Sequence, residues 1–499
     1  MAETLRGRIL KTYFTKENLF LVALFAFAFF LRWYKLPHDL FFGFEQGRDA
    51  LQAMSIFRLE DFVLVGPKTD IAGIFHGAWY YYLISIPYGL SGGNPLAAAF
   101  FIVALSSFVP VVMYKLLKLV TKSTFAAVTA GLLTAISFEF ITFARWLSNV
   151  TPAVLFVALA FYCLWKYKQV QKGIFFVGYV TFAVFASQFQ FILILWFVFL
   201  TIVLLVTRFI PLPKPIYQLH SLASSVVLYT PLLLFNLRNE FIMVKSVFSY
   251  FSGSHNHERS FHLLDSLANY SKQLLRLTES SLLFPNPVLL SIVICFLVGG
   301  SIFLLSKRHT RDQVLFFLCW IFMSLPALLF TESLSMAQIY VGMGLGVIGL
   351  FSLIVFQLWK KFPRHAVALG VGVFLLVVAV SSFYSLHTHR NLFFITIQDD
   401  LNLFDQRNLL QFVYRDAENQ PYRLVAYTIP YLQPEAWQYL HGYYNPTASH
   451  QDAQLIYVVI ESNVDPFWQD RWTEELGPTS LIDTQSFGKM RLEKRLITE

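Results

Sequence analysis

Charge is what this 499-residue chain has least of. Asp, Glu, Lys and Arg together make up 14% of it, against 56% apolar residues, too little charge to solvate the surface of a soluble globular protein of this length. Cysteine is as scarce, at three residues. Cys163, Cys295 and Cys319 all fall inside long apolar runs, which argues against a disulfide framework or a cysteine metal site. No internal repeat and no low-complexity tract interrupts the sequence. A small-x-small cleavage signal is missing ahead of Arg32-Trp33-Tyr34-Lys35, so the first apolar run reads as a retained anchor.

What is present is membrane composition. Apolar runs long enough to cross a bilayer recur at about 19–35, 96–114, 124–143, 150–166, 174–189, 191–208, 217–235, 287–306, 312–330, 336–359 and 364–386, which predicts a polytopic α-helical membrane protein of about eleven transmembrane helices. Basic clusters precede the first run (Arg6, Arg8, Lys11, Lys16) and recur in alternate connections: Lys115, Lys118 and Lys122; Lys166, Lys168 and Lys172; Arg208 and Lys214; Lys307, Arg308 and Arg311; Lys360, Lys361 and Arg364. Lys and Arg resist translocation, so the N-terminus is expected in the cytoplasm and, with an odd number of spans, the C-terminal segment outside. The net charge of +8 follows from such loops lying beside an anionic leaflet and calls for no nucleic acid.

Three outward segments are long enough to fold: about 36–94, about 236–286 and the tail beyond 387. This divides the chain into a transmembrane part, 1–386, and a soluble extracytoplasmic part, 387–499. In the tail, 423–429 and 453–460 are β-branched and strand-like, with a further strand at 488–496, while 405–417 and 434–443 have helical spacing; together they predict a small α/β domain. Long loops on one side only place the chemistry at the outer surface.

The most informative segment is Phe44-Glu45-Gln46-Gly47-Arg48-Asp49-Ala50, three charges just beyond the first apolar run. Followed by Leu51, Met54 and Phe57, it reads as a short helix along the interface, with Glu45, Arg48 and Asp49 at i, i+3 and i+4 on one face. A plain alternative is a Glu–Arg ion pair that solubilises the loop. Downstream, Val65-Gly66-Pro67-Lys68-Thr69-Asp70 forms a shaped turn, leading to Phe75-His76-Gly77 and Trp79-Tyr80-Tyr81-Tyr82. The aromatic run also suits a membrane interface belt, and a lone histidine is often no more than a satisfied polar group. Further isolated polar residues mark the outer rim: Glu139, Arg145 and Asn149, then Gln188 and Gln190, then Arg238 and Glu240 after Pro231 and Phe235, then Glu332. Singly each is a stop-transfer residue; together, on one side, they point to a substrate pathway. Arg145 and Arg238 carry the planar donor fork that suits a phosphate.

An acidic interfacial helix after the first span, a Gly-Pro turn, Phe75-His76-Gly77 before Tyr80-Tyr81-Tyr82, and Pro231, Phe235 and Arg238 in a Pro-x-x-x-Phe-x-x-Arg pattern make this chain resemble the GT-C class of polyprenyl-phosphate-sugar-dependent glycosyltransferases. Within that class it is most similar to bacterial relatives of the dolichyl-phosphate-mannose-protein mannosyltransferases and to the lipid A aminoarabinose transferases. The resemblance spans about 15–390 in layout. It implies an enzyme of the cell (inner) membrane that transfers a hexose or pentose, with inversion, from a polyprenyl-phosphate glycoside to a lipid, glycan or protein acceptor, with no required cofactor or metal. It also implies that an acidic residue of the first outer loop deprotonates or orients the acceptor. That position falls on Glu45, where the family more often has Asp, with Asp49 in reserve; Asn239 stands where the family commonly has His. Substrate contacts fall to Arg48, His76, Tyr81, Arg145, Gln190 and Arg238. A secondary transporter or lipid flippase is the rival reading; it predicts broken or charged helices at mid-membrane and internal symmetry, neither of which the sequence displays. A membrane-anchored binding module is a third, with far more spans than an anchor requires.

Overall fold

The apolar runs fold as helices, but not every one is a span. The computed structural model describes residues 15–252, 263–282, 287–329, 336–387, 401–418, 420–428, 432–445, 452–461 and 466–498. Among these, seven helices are long and apolar enough to cross a membrane: Lys16–Asp39, Pro95–Thr121, Val150–Val170, Pro215–Arg238, Pro287–Leu305, Gly344–Lys361 and Arg364–His387. An eighth is reached only if the bent pair Thr124–Ile136 and Phe138–Arg145 is counted as one span. The expected eleven is therefore too many. The runs at 174–189 and 191–208 form helices of 17 and 14 residues, about 26 and 21 Å long against a hydrocarbon core of about 30 Å. They part at Gln190, where the backbone turns extended (φ −140°, ψ 98°). The run at 312–330 becomes the 14-residue helix Arg308–Ile321 and a 3₁₀ turn at Leu325–Leu329. Hydropathy sums side chains and is blind to such backbone breaks. Glu332 lies outside the described residues.

The bent pair is a broken helix of the kind not anticipated from the sequence. The chain bends by 49° between its halves because Ser137 adopts extended geometry (φ −61°, ψ 128°), releasing carbonyls that have no water to turn to. Arg32, fully buried in the first span, donates to the carbonyls of Ala135 (3.2 Å) and Thr134 (3.3 Å), and to Ala28 of its own helix (3.0 Å). Arg145 closes the other end. It donates to the carbonyls of Arg32 (3.1 Å) and Tyr34 (2.6 Å) and pairs with Asp39 at 3.2 Å. The second half-helix is thereby stapled to the chain that leaves the first span.

Beyond the spans, a four-stranded sheet has the order β3-β4-β6-β5, built from β3 (Tyr422–Tyr427), β4 (Leu455–Ile460), β5 (Thr479–Phe487) and β6 (Met490–Ile497). A separate two-stranded hairpin pairs β1 (Val65–Lys68) with β2 (Phe75–Gly77). β3 and β4 run parallel, joined through the helix Glu435–Tyr444; β6 is antiparallel to both β4 and β5. β4 is buried at all six positions, as its unbroken apolar run requires. β5 went unread in the sequence because it is an edge strand, exposed along seven consecutive residues and polar for most of them. Its pairing with β6 slips at Ile482, between Leu481 and Asp483.

Within the helical part, the tightest aromatic contact is Phe161 on Trp320, rings parallel to within 3° and centroids 3.8 Å apart, both fully buried. Trp320→Ala is expected to leave a void between Val150–Val170 and Arg308–Ile321 and to cost about 3–5 kcal/mol, read as a lowered melting temperature in detergent.

Candidate active site

The charged segment does form a helix, Phe44–Phe57, as its spacing predicts. Gln46 at the third helical position reaches back to accept from the Gly43 backbone N–H (3.1 Å), while its amide donates to the Leu147 carbonyl (2.9 Å), an N-terminal cap that also ties the helix to the membrane part. Gln46, Asp49, Ala50, Ala53 and Ile56 form the buried stripe. The ion pair is not the expected one. Arg48 bonds Asp49, through Nε at 2.9 Å and Nη2 at 2.8 Å to one carboxylate oxygen, and the Tyr81 hydroxyl lies beside the same pair. Burial opposes the Arg48 cation, but Asp49 outweighs it and holds the guanidinium above its ordinary range. Asp49 is itself pushed up by burial, against the pull of Arg48. Glu45 is left half-buried, its carboxylate free of hydrogen bonds among the described residues. Burial raises its pKa, opposed by Arg48 and reinforced by Asp49 and Asp70.

The hairpin β1–β2 supplies the facing wall. Thr69 organises its turn: the Thr69 hydroxyl donates to the Ile74 carbonyl (2.9 Å), and the Ile71 N–H donates back to that hydroxyl (3.2 Å), a side-chain mimic of a backbone turn. His76, on β2, accepts the Phe191 backbone N–H on Nδ1 at 3.1 Å. Burial, then the charge of Arg48, brings its pKa down to about 4. The ring is therefore neutral with its proton on Nε2, a donor rather than a base.

Between these elements lies a cavity of about 280 Å³, lined by Glu45, Lys68, Asp70, His76, Asn149 and Gln190 among a majority of apolar residues that include Ile71, Ile74, Trp146, Phe191, Ile194 and Leu195. Gln190 is held by donation to the Gln338 carbonyl (3.0 Å), and Asn149 by donation to the Phe189 carbonyl (2.6 Å). Of the residues singled out from sequence, Glu45, His76 and Gln190 thus share one cavity. Arg48, Asp49 and Tyr81 form the layer behind Glu45. Arg145 lies elsewhere, occupied with Asp39 at the far end of the second half-helix, and Arg238 is exposed in the last turn of Pro215–Arg238, outside the cavity lining. Lys68, which the sequence reading does not single out as a site residue, is the sole cationic side chain of the lining among the described residues. The available signal was that it is the one lysine of the first outer loop, directly after a Gly-Pro turn. Glu139, a second buried carboxylate, accepts from Ser280 (3.3 Å) and from Ser281 around a smaller void. Among the described residues, no group of three or more His, Cys, Asp or Glu side chains converges as metal ligands would.

Residues 73–241, which carry β2, His76, Asn149 and Gln190, match the family model "Dolichyl-phosphate-mannose-protein mannosyltransferase". An uncharacterized protein of Aquifex aeolicus (strain VF5) is 33% identical over 87 residues, a match spanning 17% of this chain and 17% of the relative. Two crystal structures of ArnT from Cupriavidus metallidurans share the fold. The one bound to undecaprenyl phosphate aligns over 95% of this chain and 97% of its own, with a TM-score of 0.60 at 11% identity. The apo state aligns over 96% and 98%, with the same TM-score at 12% identity. The family match thus covers the loop and helices around the cavity, and the fold is shared with ArnT from end to end.

Proposed function

We propose that this protein transfers a sugar, a hexose or a pentose, from a polyprenyl-phosphate-linked donor to a lipid, glycan or protein acceptor at the outer face of the cell membrane. One observation carries the reading: Glu45, free of hydrogen-bond partners among the described residues, borders a cavity that also holds Lys68 and the neutral imidazole of His76. ArnT, which shares the fold, has been crystallised with undecaprenyl phosphate, and the apolar lining of the cavity suits a donor of that class. The basic clusters on alternate connections support a cytoplasmic N-terminus, which puts the loop after the first span, and Glu45 with it, outside.

The chemistry follows from the groups present. The acceptor O–H or N–H gives its proton to Glu45 as its lone pair forms the new bond to the anomeric carbon. The bond from that carbon to the phosphate oxygen breaks, and the electron pair leaves with the polyprenyl phosphate. Attack opposite the leaving group inverts the anomeric centre. Lys68 and the Nε2–H of His76 are suited to meet the negative charge that grows on the phosphate. Asp49 is spoken for by Arg48, which favours Glu45 as the base and gives the Arg48–Asp49–Tyr81 layer the role of holding Glu45 at the cavity wall.

Transfer of labelled sugar from a panel of polyprenyl-phosphate donors to acceptor extracts is the direct test. Glu45→Gln is expected to lower kcat by about 10²–10⁴-fold, the usual contribution of a general base, with donor affinity within a few-fold of wild type; full activity in this variant would remove Glu45 from the chemistry. Lys68→Ala is expected to weaken donor binding by tenfold or more. In the wild type kcat/KM should rise with pH through an inflection above the ordinary Glu value of 4.5, since burial raises Glu45. His76, held down to about 4, contributes no inflection between about pH 5 and 8.

Stability separates the two carboxylates. A folded-state pKa raised above the unfolded one favours the protein while Glu45 is protonated, an advantage lost as pH climbs through the raised value. Glu45→Gln should therefore leave the melting temperature at pH 7 unchanged or higher. Asp49→Ala strands a largely buried guanidinium and should cost about 2–4 kcal/mol, seen as a clear fall in the same measurement.

A further inference from the structure

The chain segment that delivers Glu45 is gripped from both sides, and one grip comes from the far end of the sequence. Upstream of Glu45, the Leu403 N–H donates to the Leu40 carbonyl (2.8 Å), Phe41 bridges to Asn402, and the Gln406 amide donates to the Phe42 carbonyl at 2.9 Å. Gln406 and Phe42 are both fully buried, so this bond has no water to replace it. The Phe42 ring packs on Tyr439 at 6.0 Å, and Tyr439 donates to the Gly93 carbonyl at the end of the same loop. Downstream, a Cβ on Gly47 would collide with the backbone of Glu435 and Ala436: the helix Glu435–Tyr444 presses directly on the helix Phe44–Phe57, and only glycine allows the approach. Glu45 and Gly47 are about 200° apart on a helix turning about 100° per residue. The pressed face is thus opposite the one that bears Glu45. The membrane part supplies the counter-grip, through Gln46 on the Leu147 carbonyl.

We propose that Gly47 and Gln406 are positioning residues: the sheet-bearing C-terminal region clamps the back of the charged helix and so fixes where the Glu45 carboxylate stands in the cavity. The C-terminal region is then part of the catalytic apparatus without contributing a group to the cavity lining, and loosening the clamp slows turnover through Glu45 while leaving the donor site intact. The catalytic half of this inference rests on the role proposed for Glu45. The mechanical half does not.

Two variants test it in the full-length protein. Gly47→Ala forces the two helices apart; Gln406→Met removes one buried donor with little change of shape and serves where the first variant fails to fold. Backbone hydrogen exchange over 44–50 is expected to quicken by tenfold or more in either variant, with exchange in Val150–Val170 unchanged. Kcat is expected to fall by tenfold or more, with the affinity for a polyprenyl-phosphate sugar within threefold. In a Glu45→Gln background the same substitutions should add no further loss, the non-additivity of residues acting through one group. Unchanged exchange in both variants overturns the clamp. Faster exchange with losses that multiply those of Glu45→Gln overturns its action through Glu45. Should Glu45→Gln itself retain full turnover, the base assignment falls, and the exchange data still judge the clamp.

Discussion

A backbone that leaves helical geometry inside an apolar medium must find its partners within the protein, and the break at Ser137 meets that demand with Arg32, while the end of the first span meets it with Arg145. Arg32 takes the carbonyls that the first half-helix releases, and Arg145 binds the carbonyls of Arg32 and Tyr34. The consequence reaches the cavity. Trp146, Asn149 and Val150, immediately after the second half-helix, line it, and Leu147 receives the Gln46 amide that seats the charged helix. Arg145, which looks like a phosphate ligand in the sequence, is therefore, like Arg32, a structural donor to backbone, and among the described residues the cavity draws its cation from Lys68.

The charged helix shows how partner choice, rather than residue type, divides labour between like groups. Glu45 and Asp49 lie one turn apart on the same helix. Arg48, between them in sequence, bonds Asp49 through two nitrogens, with the Tyr81 hydroxyl beside the pair. Burial raises the proton affinity of both carboxylates, but the Asp49 oxygen is taken up by Arg48, whereas Glu45, half-buried and without hydrogen bonds among the described residues, is left open to an acceptor. Neutral His76 completes the contrast: with Nδ1 occupied by a backbone N–H, its remaining polar atom donates.

Much of this was legible from composition and spacing, and the failures share a cause. The apolar runs at 19–35, 96–114, 150–166, 217–235, 287–306 and 364–386 each fall in a stretch long and apolar enough to cross, as does the later part of 336–359, with only brief turns at Tyr34–Lys35 and Ser107–Phe108. The runs around Gln190 and after Ile321 were miscounted because a change of backbone geometry costs no hydrophobicity. In the tail, strands at 422–427, 455–460 and 490–497 lie close to where the β-branched runs fall, while β5, whose pattern answers to solvent on nearly every residue, gave no signal. At the site, the acidic helix announced itself by charge out of place. The choice between Glu45 and Asp49 did not: helical spacing points Arg48 at Glu45, three residues back, whereas in the structure Arg48 bonds its neighbour Asp49. Arg145 and Lys68 were exchanged in importance for the same reason: sequence shows that a cation is present and is silent about what already holds it.

The slip in the pairing of β5 has a meaning for how this protein behaves outside its membrane. An edge strand with Leu481 and Ile482 exposed offers free backbone groups and apolar side chains to any neighbouring strand, the common route to sheet-to-sheet aggregation. The extra residue at Ile482 bends the edge out of register, and Asp483, which follows it, turns its carboxylate back to the Thr484 N–H (2.8 Å) and the Gln485 amide (3.1 Å). A second copy approaching in register would meet a kink and a negative charge where it needs a straight, neutral ribbon. The free margin of the sheet thus carries its own deterrent, and the C-terminal region can stand in solvent as an edge that stays unpaired.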